Sequence, residues 1–331
     1  MPGATVGTRV DRRGRSAAAA HRPNADSTMH YNLVAISEIY RACPYRAVTI
    51  ACMARISPPE LARELGELLR SLRRAQNLTM TQVAHRTGVS AAKLSRIETA
   101  TFRPQRDVVE AVLAVYGADE ETRRHCVALT DGALAEPWWA PYKAVLPGRF
   151  AALETAAVRI CTWQPLLLPG LVQTPDYTRA VFAAAGSPPQ VTELAVTARQ
   201  MRQRVQLSGP DALRLRMVLW EPLLRRRILP SPLWAAQLSA LAECASRPNL
   251  SVRVLPERPH GHPGLEGGFS VLELPHDRRV VHTEGGPAES IIDTIPSVAE
   301  FDRRYRWLEA HALPTGESAV LIAKIAREIR C

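Results

Sequence analysis

From residue 57 onward the apolar positions follow a helical period. Leu61, Leu65, Leu68, Leu69 and Leu72 fall on one face, which predicts a helix from Pro58 to about Ala75. Ser57-Pro58-Pro59-Glu60 reads as its start, with Ser as N-cap, Pro in the first turn and Glu at the third helical position. Asn77-Leu78-Thr79 breaks the pattern, and Thr79 with Gln82 three residues on forms a capping-box sequence for a short helix, Met80 to Thr87, with Val83 and Ala84 inward. Gly88 supplies a tight turn, because it takes positive φ without a Cβ clash. Val89 follows as an apolar plug, and Ser90 caps a helix from Ala91 to about Glu98 with Leu94 and Ile97 toward the core. Two more helices are predicted, at about Gln105–Tyr116 and Asp119–Thr130, separated by Gly117. Five short helices of this spacing make one all-α domain over residues 58–134.

Beyond residue 135 the period changes. Strand patterns occur at Val158–Trp163, Leu213–Trp220, Ser251–Leu255, Gly268–Leu274 and Arg279–Thr283, several of them β-branched, aromatic and bounded by Pro or Gly. Helical patterns lie at about 175–185, 190–207, 231–246, 297–312 and 316–329. Without a strict strand–helix–strand rhythm, residues 135–331 read as an α+β domain with a mostly antiparallel sheet. The fold class is therefore multidomain, an all-α five-helix repressor-like helix-turn-helix domain followed by an α+β domain. Residues 1–57 carry no such pattern and read as a disordered or mis-annotated extension. A solvated linker and a basic arm on DNA phosphates stay open beside that reading, as does translation from Met53.

Composition changes this picture little. The 331 residues suit two domains, with 46% hydrophobic and 22% charged side chains, as in ordinary globular proteins. No apolar run approaches the ~20 residues of a membrane span, and no secretory signal is expected, so the chain is predicted to be cytoplasmic and nucleoid-associated. The six cysteines have no C-x-x-C pair, which predicts reduced thiols and no zinc site. The net charge is +10, and its distribution is informative: between residues 65 and 106 eight basic side chains face only Glu67 and Glu98. A positive field concentrated there points to a polyanion partner.

The helices at 80–87 and 91–98 supply what a helix-turn-helix needs: one helix across the DNA backbone, a tight turn, and a second helix for the major groove. On the second helix Ala91, Ala92, Ser95 and Arg96 face away from the core and reach base edges, with Arg96 the candidate for a bidentate guanine contact. Thr79, Thr81, Lys93 and Arg103 are placed for phosphates, which position without reading sequence, and Gln82 and Ser90 complete the candidate contact set. Glu98 reads as half of a structural ion pair with an Arg of the first helix, and His85 and Arg86 as solvated surface.

The stretch Leu78–Glu98 resembles the Cro/phage-repressor (xenobiotic-response-element) family, matching its L-T-x-x-x-[VA]-A-x-x-x-G-[VI]-S-x-x-x-[LI]-S-x-x-E pattern. Members commonly open the second helix with a polar residue, where Met80 stands here. Pro169–Tyr177, Arg199-Gln200-x-Arg202-Gln203, Val252–Pro256 with Phe269–Glu273, and Glu317-Ser318-Ala319 resemble a domain of unknown chemistry common behind this motif in regulators of high-GC filamentous bacteria. The resemblance implies a transcriptional regulator, or an antitoxin-like protein that neutralises a small partner protein while DNA binding is autoregulatory. The expected partners are double-stranded DNA, a second copy in a homodimer and a small protein. Gln173, Tyr177, Arg199 and Arg202 form a candidate ligand or partner pocket, although Pro169–Tyr177 reads equally as a buried turn capped by Tyr. No enzyme, cofactor or metal is predicted: there is no nucleophile elbow, P-loop or dinucleotide motif, and His260-Gly261-His262 reads as a surface loop. The six tryptophans read as core or interface.

Overall fold

The computed structural model describes residues 57–257, 261–284 and 290–330. The basic stretch 1–56 with Met53, and also His260, Cys43, Cys52 and Cys331, lies outside them.

The first domain holds α1 (Pro58–Ala75), α2 (Met80–Thr87), α3 (Ala91–Glu98), α4 (Arg106–Tyr116) and α5 (Glu120–Leu134). Their apolar faces close one core, centred on Leu65, Leu69, Val83, Leu94, Ile97, Val109, Val112 and Leu113. Helix α5 runs past the expected Thr130 because Ala133 is buried along with Leu129. The start of α1 departs from the sequence reading. Ser57 occupies the N-cap position, yet its hydroxyl makes no capping bond and is buried without a partner among the described residues. Glu60, expected to reach back to it, pairs instead with Arg63 at 2.9 Å and with Arg278 of the second domain. A guanidinium from a distant hairpin outcompetes a local backbone N–H for that carboxylate.

The second domain opens with α6 (Gly148–Ala156), which the periodicity did not reveal. It then runs β1 (Arg159–Gln164), α7 (Pro175–Ala184), α8 (Pro189–Leu207), β2 (Arg214–Trp220), α9 (Glu221–Arg225), α10 (Ser231–Cys244) and β3 (Leu250–Leu255). It ends with β4 (Phe269–Glu273), β5 (Arg279–Thr283), β6 (Ser290–Ile292), α11 (Ile295–His311) and α12 (Thr315–Arg330). The strands form one sheet in the order β3-β2-β1-β4-β5-β6. The pairings β1–β4, β4–β5 and β5–β6 are antiparallel, but β1–β2 and β2–β3 are parallel, so the sheet is mixed. The parallel half follows from the helices inserted between its strands, which carry the chain back to start the next strand at the same end.

Alternation sends the two faces of the sheet into two cores. Ile160, Leu215, Met217, Val252, Val254, Leu272 and Val280 pack with α10 and α12 residues such as Trp234, Leu238 and Ile322. Trp163, Val218, Leu255, Phe269, Val271 and Val281 pack with Val298, Tyr305 and Leu308 of α11. The edge strand β3 is covered: Val254 N–H donates to Ser318 Oγ at 3.0 Å, and its carbonyl accepts from Leu313 N at 2.8 Å. Of the tryptophans, Trp139, Trp163 and Trp234 are buried, Trp138 and Trp220 half-buried, and Trp307 exposed, stacked on His311 at 3.8 Å. Helix α1 packs on both α5 and α6, so the two domains meet along it.

Candidate nucleic-acid interface

The turn between α2 and α3 is built by short-range chemistry. Thr79 Oγ1 accepts from Gln82 N at 3.2 Å while Gln82 Oε1 accepts from Thr79 N at 2.8 Å, completing the capping box. Gly88 closes α2 with φ of 72°, and Ser90 Oγ accepts from Lys93 N at 3.3 Å to start α3. From behind, α3 is held by α1. A Cβ on Gly66 would stand 2.8 Å from the carbonyl oxygens of Ile97 and Glu98, so the two helices touch backbone to backbone. The Glu98 carboxylate is buried and takes Arg73 in a bidentate pair at 2.8 and 3.0 Å, as the sequence reading expected. Arg70 donates to the Glu98 carbonyl at 3.0 Å and satisfies one orphan carbonyl at the helix end. The bond from Glu98 holds the Arg73 guanidinium above its ordinary value, and burial beside Glu98 pushes the Tyr116 phenol up to about 12.

The opposite face of this unit is open. Thr79, Thr81, Gln82, Ser90, Ala92, Ser95 and Arg96 are exposed, and Ala91 and Lys93 are half-buried. Thr79 and Gln82 are engaged with each other, which leaves the Gln82 amide nitrogen as that pair's outward donor. Two contacts unforeseen in the sequence organise the cations. The Phe102 ring lies beneath both Arg96, at 5.1 Å, and Lys93, at 5.6 Å, and Lys93 Nζ donates to Gln105 Oε1 at 2.6 Å. Phe102 is the one Phe, Tyr or Trp between residues 65 and 106, and that lone aromatic amid arginines is the signal by which the sequence reading could have found it. Arg103, expected at a phosphate, is exposed, and its Nη2 donates to the Leu134 and Ala135 carbonyls at the end of α5, where the helix dipole attracts a cation.

The expected pocket residues are brought together in the second domain, but as packing. Tyr177 is buried, stacks on Trp234 at 5.6 Å and accepts from Leu168 N at 3.0 Å. Gln173 donates to the Leu168 carbonyl at 2.7 Å and accepts from Thr178. Arg202 is buried in a bidentate pair with Glu154 at 2.8 and 2.6 Å. Pro169–Tyr177 is thus a buried turn capped by Tyr, and Gln173, Tyr177 and Arg202 are buried with their polar groups paired inside the protein. Arg199 alone keeps its guanidinium without a hydrogen-bond acceptor among the described residues. Those residues hold no cluster of metal-ligating side chains and no helix long and apolar enough to cross a membrane.

Comparison with protein-family models matches residues 64–126 to a helix-turn-helix domain and residues 147–324 to a domain of unknown function, DUF5753. No curated protein and no solved structure matches the chain. The first match makes 64–126 a DNA-binding module of the kind that regulators carry, in agreement with the exposed α3 and its basic surround.

Proposed function

The chain belongs to the DUF5753 family, with a helix-turn-helix domain ahead of the family domain, and from that premise we propose that it is a sequence-specific transcriptional regulator. It is not an enzyme; α3 reads the major groove, and the second domain controls that reading. The observation that carries this is the division of labour around α3. One side is pinned by Gly66 and Glu98, and the other presents Ser95, Arg96 and Lys93 to solvent, two of them seated on Phe102. A helix of eight residues reads few base pairs, so the active form is a homodimer whose two α3 helices lie about 34 Å apart on half-sites.

The test is binding of the purified chain to the DNA upstream of its own gene and to random DNA, at two salt concentrations. A preference of about 10³ or more for the upstream site is expected. Arg96→Ala is expected to remove about 1–3 kcal/mol of discrimination at one base pair of each half-site while leaving the salt dependence of non-specific binding nearly unchanged. Equal and equally salt-steep binding of both DNAs would overturn the reading, because phosphate contacts alone give that result.

A further inference from the structure

Arginine 199 stands out among the charged side chains of the second domain. It is half-buried on α8, its Nε is inaccessible to water, and none of its N–H groups has an acceptor among the described residues. A buried donor is almost always paired, and the Nε–H of Arg199 is one that is not. Its surroundings are cationic. A Cβ at Gly170 would lie 2.2 Å from Arg199 Nη1 and 2.8 Å from Arg202 Nη1, so both guanidinium groups close on the same point of the Gly170–Val172 turn. Only a residue without a side chain allows that approach. The Phe182 ring, 5.5 Å from Arg199 Cζ, fixes the group on another side.

Neither nearby carboxylate takes a hydrogen bond from Arg199. Both carboxylate oxygens of Glu154 are committed to Arg202. Glu284 acts on Arg199 through space only, and its Oε1 accepts from Gln164 Nε2 at 2.9 Å. Two guanidinium groups and two carboxylates balance in number, yet the Arg199 donors are left without an acceptor among the described residues. Burial, and next the Arg202 charge, pull the Arg199 guanidinium down to about 10, still charged at neutral pH. The location fits as well. Gly170 follows the carboxyl end of β1, and β1 is where the sheet changes from parallel to antiparallel pairing. Open sheets with parallel strands hold their ligands at such carboxyl ends, beside the switch in strand order.

We propose that Arg199, with Gly170 and Phe182 as its walls, is the receptor for the carboxylate of a small organic acid carrying one negative charge. One carboxylate offers two acceptors to the fork of Arg199. A phosphate dianion would bring twice the negative charge toward Glu284. Glu154, which holds Arg202 in place, lies on α6, and α6 packs on α1 of the DNA-binding domain. Any effect of the acid on DNA binding rests on the regulator reading above; the binding itself does not, and the two fail separately.

Thermal unfolding of the full chain at constant ionic strength, with acetate, lactate, glutamate and inorganic phosphate as probes, tests the site. At least one organic acid is expected to raise the midpoint, since a ligand at a hundredfold excess over its Kd multiplies the folded population about 100-fold. Phosphate is expected to do no more than chloride. Arg199→Gln, which breaks no hydrogen bond within the protein, is expected to lose that response at least tenfold and to be no less stable than the parent without probe. Three results would overturn the proposal: no organic acid raises the midpoint, phosphate raises it more than any of them, or Arg199→Gln keeps the response. Destabilisation of Arg199→Gln in plain buffer would likewise count against it, by making Arg199 a packing residue on Phe182.

Discussion

Glu98 ties two helices together through one carboxylate, and its burial is tolerable only because Arg73 and Arg70 come with it. Removing the acid leaves the Arg73 and Arg70 guanidinium groups without their counter-ion. Glu98→Ala is therefore expected to destabilise the first domain by about 3 kcal/mol or more, measured by urea unfolding; a loss below about 1 kcal/mol would reduce the pair to surface decoration. His262 is a second residue with a defined role. Its Nδ1 accepts from Gly264 N at 3.1 Å, which leaves the proton on a buried, unpartnered Nε2, and its ring stands edge-on to Trp163 and Trp220. Burial lowers its pKa from the ordinary 6.5. The unfolded chain therefore takes up a proton before the folded one does. The stability from neutral His262 is present above 6.5 and is lost as pH falls through the lower folded-state value. His262→Gln should flatten that limb in a series of urea midpoints against pH; an unchanged slope would place the acid sensitivity elsewhere.

Among the elements, α1 matters more than its leucine stripe suggests. It backs the recognition helix through Gly66, grips it through Arg70 and Arg73, and lies against α6 of the second domain. A methyl group at Gly66 would meet backbone, which cannot rotate away, so α3 must shift. Gly66→Ala is expected to lower stability by about 1–3 kcal/mol and to weaken specific DNA binding, as followed by titration of the upstream site; normal affinity would mean that α3 tolerates displacement. All of α1 to α5 were legible in the sequence, because each has apolar spacing of its own, and α2, α3 and α5 have side-chain caps as well. By contrast α6 was not: its Gly148–Ala156 segment is buried through Ala151, Ala152, Leu153, Glu154 and Thr155, a continuous run without a polar face to set a period.

For the whole molecule, the first domain closes its core without the second. Leu61 covers Gly132 of α5, and Arg103 caps the same helix, so both ends of the domain are tied within residues 57–135. A chain of those residues alone is expected to unfold cooperatively and to bind DNA. A broad, non-cooperative melt would show instead that the packing of α1 on α6, with the Glu60–Arg278 ion pair, is needed to complete it.

The sequence by itself determined the helix-turn-helix: its caps, its αL glycine and its inward residues are local, and local chemistry is readable in order along the chain. It also supplied five of the six strands and the outward residues of α3, since strand and helix periods sort side chains into faces. Tertiary structure alone decided what those side chains meet. It put Phe102 under Arg96 and Lys93, turned Arg103 onto a helix end, made β1, β2 and β3 parallel, and buried Tyr177, Gln173 and Arg202 while leaving Arg199 without an acceptor among the described residues. Each of these depends on residues far apart in sequence, whose meeting is set by packing and by competition for charge, and no local pattern records it.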